Sequence, residues 1–133
     1  MTPEQIALVQ QSLEEATSQA DDFVARFYQR LFELDPATRT LFSTDFAVLR
    51  EKFFTELDAI VGALGSFGDF MERAQSLGRR HHDFGVTAKH YAEAREALLW
   101  ALSITLASRF TSEVRDAWQM AYNLVAEVMM ANP

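Results

Sequence analysis

The stretch Leu77–Tyr91, LGRRHHDFGVTAKHY, sets His81 and His82 side by side behind two arginines and brings a third histidine, His90, soon after. Consecutive side chains on a helix point about 100° apart, so His81 and His82 cannot serve one ligand together. As a zinc pair they also lack the carboxylate or thiolate needed to complete four ligands. One of the two at most carries chemistry, and the other is solvated. Gly85-Val86 breaks the segment and starts a turn.

What surrounds this stretch decides which histidine matters. The chain has 133 residues, the size of a single domain (1–133) with one hydrophobic core. Its net charge of −7 argues against a nucleic-acid partner, which would want a basic face. It has no cysteine, which excludes disulfides, thiolate catalysis and Cys-ligated metals. The start, MTPEQIALVQ, is polar and acidic where a signal peptide needs a basic, then apolar, run. No segment approaches the roughly 18 unbroken apolar residues of a membrane span. A cytoplasmic protein without membrane contact is the expectation.

Proline stands only at positions 3, 36 and 133, and the long stretches between breakers carry helical apolar spacing. Thr2-Pro3-Glu4-Gln5 reads as a capping box with proline in the first turn, opening a helix to about Ser18. A second helix from about Ala20 carries Phe23, Phe27, Tyr28, Leu31 and Phe32 on one broad face. Asp35-Pro36 stops it and leads to Leu41-Phe42. A third helix, about Asp45 to Leu64, aligns Phe46, Leu49, Phe53, Leu57 and Ile60. GSFGDF connects to a fourth, about Asp69 to His82. Two long helices close the chain, about Ala88 to Ser108 and Thr111 to Met130. The first of these has two apolar stripes, Leu98, Leu102 and Leu106 on one and Trp100 and Ile104 on the other. A helix apolar on two sides is either central to the fold or half of an interface. The fold class is all-α, and the 11 phenylalanines suit a domain wrapped round something flat and apolar.

Leu77, Arg80, His81, Gly85, Val86 and Tyr91 resemble the proximal segment of the globins, in particular bacterial single-domain haemoglobins, the globin part of flavohaemoglobins, and neuroglobins. FYQRLF (27–32) is similar to their second helix, with Tyr28 as its buried tyrosine. Asp35-Pro36 and Leu41-Phe42 resemble the corner that sets a Phe against the haem, and DAWQMAY (116–122) resembles the last helix. The resemblance spans nearly the whole chain in the right order. It implies a globin fold around haem b, with His81 as the iron ligand on a helix whose preceding turn, Leu77, lies against the porphyrin. It also implies pocket contacts from Phe42, Phe53, Phe84, Val86, Tyr91 and Leu98; Arg80, next to the ligand, is either a propionate partner or simply solvated. His90 is either near a propionate or simply exposed.

The distal side departs from the pattern. Counted back without gaps, the position that holds His or Gln in the relatives is Leu49; a slip of one would place Arg50 there. Tyr28 is then the polar candidate for hydrogen bonding to a bound gas. Lys52 has two readings, a stem along the haem edge or a deprotonated internal sixth ligand. On the proximal side, flavohaemoglobins pair a Tyr, here Tyr91, with a Glu, both hydrogen-bonded to the proximal His. The Glu position falls at or beyond Pro133, so the imidazole is expected to be less electron-donating. The resemblance implies reversible binding of O2, NO and CO, with NO dioxygenation through a separate reductase as an enzymatic extension. The alternative is a redox or gas sensor, or an electron-transfer protein, in which an internal sixth ligand exchanges. A monomer or homodimer is expected.

Overall fold

The computed structural model describes residues 1–131. It contains six α-helices and two short 3-10 segments, with no strand among the described residues. The helices are α1 (Pro3–Thr17), α2 (Ala20–Leu34), α3 (Phe46–Gly62), α4 (Phe67–Asp83), α5 (Ala88–Leu106) and α6 (Ser112–Ala131). The 3-10 segments are Pro36–Leu41, after α2, and Ala107–Arg109, after α5. No helix is long and apolar enough to cross a membrane.

Local chemistry sets most boundaries. The Thr2 hydroxyl accepts the Gln5 N–H at 3.1 Å and Gln5 Oε1 accepts the Thr2 N–H at 2.8 Å, so two donors that helix geometry leaves unpaired are satisfied reciprocally. Asp45 caps α3 by accepting the Ala47 N–H. Two boundaries differ from the sequence reading. α4 begins at Phe67, not near Asp69, because Ser66 takes the extended N-cap conformation and Asp69 then lies in the first turn, where it complements the helix dipole and pairs with Arg73. α5 stops at Leu106, because Ala107 adopts a positive φ of 51° and turns the chain.

α5 is the central helix: it packs on α1, α2 and α6, and Ala97, Leu98, Ala101, Leu102, Thr105 and Leu106 are all buried. Its second stripe is only partly used. Trp100 is half-buried, with the Arg30 guanidinium 6.0 Å from its ring centre, and Ile104 is exposed. Phe23, Val24, Phe27 and Leu31 of α2 enter the same cluster as the α5 leucines. Removing such side chains from water contributes about 1.5–3 kcal/mol each. α1 meets α6 through Val9, Leu13 and Ala16 against Trp118, whose Nε1–H donates to the buried Ser12 hydroxyl at 2.7 Å. α4 meets α6 at Gly78, so closely that a Cβ there would lie 2.5 Å from the Met129 carbonyl oxygen. A glycine at this point sets the distance between the two helices. Phe46, at the start of the α3 stripe, stays 41% exposed, because the stripe reaches the core only from Leu49 onwards.

Candidate functional site

α4 presents His81 in its last turn, and the helix end is built to hold it there. The Val86 N–H donates to the His81 carbonyl at 3.1 Å and the Gly85 N–H to the His82 carbonyl at 2.9 Å. This paired closure needs a left-handed residue, and Gly85 supplies it with φ 78°. One turn back, the Leu77 carbonyl lies 2.8 Å from His81 Nδ1. A carbonyl only accepts, so Nδ1 carries the proton and Nε2 keeps its lone pair. Burial lowers the His81 pKa, outweighing the Leu77 carbonyl and Glu56, which act the other way. The ring is therefore neutral at neutral pH and free to coordinate through Nε2.

The Tyr91 ring lies 6.3 Å from the His81 ring at an interplanar angle of 30°. This corrects one implication of the resemblance: Tyr91 stacks beside His81 and does not hydrogen-bond it, because the Nδ1 proton is already taken by the carbonyl of the preceding turn. The Tyr91 backbone is held in turn by the Tyr122 hydroxyl, which donates to its carbonyl at 2.6 Å. Tyr91, Ala126 and Met129 form a small cluster with Leu77 and Val86 packed against it.

A second apolar wall comes from α2, α3 and the corner between them. Tyr28 is 8% exposed and ringed by aromatics, with Phe27, Phe32, Phe42 and Phe53 at centroid distances of 5.1, 5.8, 5.2 and 5.9 Å. Burial alone pushes its pKa up to about 12, so its hydroxyl is a permanent donor. Phe42, Leu49 and Phe53 pack against this larger cluster, to which the buried Leu98 also belongs. Tyr122 and Val125 of α6 touch both clusters. Between α3 and α4 lies a cavity of about 290 Å³ lined by Glu56, Ile60, Ser76, Leu77 and Arg80 among others; it does not reach Tyr28, Phe53 or His81.

The structure thus groups Tyr28, Phe42, Leu49, Phe53 and Leu98 on one side, and Leu77, Val86, Tyr91 and His81 on the other. Other expected residues have different occupations. Arg80 reaches α3 and forms a two-pronged pair with Glu56, at 2.8 and 3.3 Å, so its guanidinium is already engaged. Arg50 is exposed and paired with Asp21, which leaves Leu49 as the α3 residue on the core side. Lys52 is exposed, and Phe84, at the end of α4, is 71% exposed. His82 is exposed, while His90 caps α5: its Nδ1 accepts the Thr87 N–H at 2.9 Å. The position corresponding to the flavohaemoglobin Glu lies outside the described residues. Glu56 and Tyr122 gained no role from sequence reasoning. Glu56 is 24 positions from its arginine, with no local pattern to announce it, and Tyr122 is 31 positions from the carbonyl to which its hydroxyl donates.

Known proteins resemble this chain in sequence and in fold. The sequence model of the family described as Globin matches residues 25–129. Neuroglobins from Chaenocephalus aceratus and Danio rerio are each 32% identical over 116 residues, covering 77% of this chain and 73% of theirs. A flavohemoprotein from Xylella fastidiosa is 26% identical over 135 residues, covering 96% of this chain and 33% of its own. In three dimensions the chain is similar to the crystal structure of a hexacoordinated heme protein from an anhydrobiotic tardigrade, with a TM-score of 0.87 at 16% identity, covering 99% of this chain and 94% of the other.

Proposed function

The chain belongs to the globin family, and from that premise we propose that it holds haem b through His81 and reversibly binds O2, NO and CO. The observation that carries this reading is the state of His81: a neutral imidazole whose Nδ1 proton is fixed on the Leu77 carbonyl, leaving Nε2 as the ligand atom. Haem supplies the iron at which diatomic gases bind. The chain supplies two apolar walls, one around Leu77, Val86 and Tyr91 and one around Phe42, Leu49 and Phe53, joined through Tyr122 and Val125, which suits a flat apolar group.

Tyr28 is the hydrogen-bond donor of the distal wall. Its phenol stays protonated across the physiological range, and no partner in the described chain occupies it. Leu49 and Phe53 keep water from the same space. The exposure of Lys52 supports a place at the haem edge over internal ligation. The exposed Phe84 and the Glu56-bound Arg80 are rim residues in this reading. A carbonyl on Nδ1 makes the imidazole a weaker electron donor than a carboxylate would, which favours reversible binding over peroxidase-like chemistry. The match to one third of a flavohemoprotein supports a further step, NO dioxygenation with electrons from a separate reductase.

Absorption spectra of the purified protein, before and after addition of haemin, test the reading. A His-ligated haem spectrum is expected, lost in His81→Ala and partly restored by added imidazole, with His82→Ala like the parent. A protein that remains colourless after haemin treatment would refute every haem reading at once. A low-spin spectrum abolished by Lys52→Ala would establish lysine ligation instead of the edge placement.

A further inference from the structure

Three side chains with no part in the pocket converge where α2 ends and α5 begins. Asp35 closes α2; His90 and Glu93 stand three residues apart in the first turns of α5, and so on one face of it. One ligand-capable atom from each lies within 4.8 Å of the other two, and no other such group of three occurs among the described residues. We propose that Asp35, His90 and Glu93 form a binding site for a borderline divalent cation of the zinc class.

Among the described residues, one exposed ammonium is the only fixed positive charge paired with the two carboxylates. Asp35 is 9% exposed, and the ammonium paired with it, that of Lys89, sits at 3.5 Å on a side chain 74% exposed. Glu93 Oε1 is enclosed and is the one such side-chain oxygen without a hydrogen-bond partner among the described residues. An enclosed carboxylate oxygen with no donor is a costly arrangement. A cation between the two carboxylates removes both the repulsion and the orphaned oxygen.

The donor set selects the ion. Two carboxylates with one imidazole suit zinc, with water completing a tetrahedron; Mg2+ and Ca2+ prefer oxygen throughout. Zinc bonds of roughly 2.0–2.2 Å need the three side chains to close in by about 1 Å or less, well within rotamer adjustment. The site also has a built-in competitor. His90 Nδ1 accepts the Thr87 N–H at 2.9 Å in the metal-free chain. A cation on Nδ1 displaces that bond, and a cation on Nε2 puts the ring proton on Nδ1, which can then only donate, towards the Thr87 hydroxyl at 3.3 Å. Either way the Thr87 amide loses its acceptor when metal binds.

The test is a calorimetric titration of the purified, haem-loaded protein with ZnCl2, with MgCl2 as the comparison ion. One equivalent of zinc is expected, with affinity reduced tenfold or more by Glu93→Gln and by His90→Ala and unchanged by His82→Ala. Magnesium is expected to give no stoichiometric heat. In the diamagnetic ferrous-CO form, the Thr87 amide resonance is expected to shift with zinc in the parent and to stay in place in Glu93→Gln. Glu93→Gln keeps the side-chain shape and the His90 cap, so it carries the test if His90→Ala perturbs α5. Absence of stoichiometric zinc binding in the parent, or equal affinity in parent and Glu93→Gln, overturns the proposal. The zinc titration does not depend on His81 or on the identity of the gas; only the amide resonance in the ferrous-CO form rests on the proposed haem binding.

Discussion

Replacing Gly78 by alanine perturbs the closest approach of α4 and α6. The added Cβ would meet the Met129 backbone at 2.5 Å from its carbonyl oxygen, 2.7 Å from Cα and 2.9 Å from C, against an ordinary contact of 3.4–4 Å. The obstacle is main chain in the last turn of α6 and cannot swing aside as a side-chain end would. α4 must therefore retreat by about 1 Å. Overpacking of this kind costs about 1–3 kcal/mol, and the better helix propensity of alanine returns about 1 kcal/mol. A net loss of up to about 2 kcal/mol is expected, with the midpoint of thermal unfolding down by up to about 10 °C for a domain of this size. His81 lies one turn further along the same helix, and its ring is anchored to that helix by the Leu77 carbonyl, so the imidazole moves with the backbone. Haem loss, followed as transfer to an excess of a competing acceptor protein, is expected to accelerate several-fold. Urea unfolding with an equal or higher midpoint, together with an unchanged rate of haem loss, would refute the claim that this contact sets the position of α4.

Three further outcomes follow from contacts elsewhere. Tyr28→Phe removes a hydroxyl whose hydrogen bond to a bound gas is worth about 1.5–3 kcal/mol in a dry site; O2 release measured by flash photolysis or stopped flow is expected to speed up by about one to two decades, and CO release far less, whereas equal effects on both gases would point to packing alone. Ser12→Ala leaves the buried Trp118 N–H without its 2.7 Å acceptor, and urea unfolding is expected to show a loss of about 1–3 kcal/mol, with Trp118→Phe in the same background recovering part of it. Ala107 sits at φ 51° with ψ −121°, where a Cβ is strained; Ala107→Gly is expected to raise the unfolding free energy by about 1 kcal/mol, and a loss would mean that the turn is not strained.

The helices were legible because their signals are local. Apolar spacing, the Thr2–Gln5 box, Asp35-Pro36 and Gly85 each act within one or two turns, and the structure uses each as the sequence suggests. The two boundary shifts have different causes. Gly68 reads as loop yet sits in the first turn of α4, where its cost is small; Ala107 carries no hint of a positive φ, because only the packing of α5 and the following turn imposes it. On the proximal side, Leu77, His81 and Val86 could be placed from spacing on one helix end. What remained hidden was the business of long, charged side chains. Nothing near Arg80 foretells Glu56, and nothing near Arg50 foretells Asp21. His90 was hidden differently: Thr87-x-x-His90 has the spacing of a capping box, but with an imidazole where a carboxylate or amide is usual.

The hydrogen bond from Trp118 to Ser12 joins residues 106 positions apart, and this has a bearing on how the chain is made as well as on how it stands. At a synthesis rate of about 5–20 residues per second, Ser12 waits roughly 5–20 s on the ribosome before its indole partner is polymerised. Throughout that interval Val9, Leu13 and Ala16, all destined for full burial, have no α6 to rest on. α2, α3 and α5, the other helices that α1 touches, are synthesised sooner, so the side of α1 that faces α6 is the last to be covered. Substitutions at the α1–α6 seam should therefore show up first in soluble yield, at growth temperatures where the finished protein is still comfortably folded.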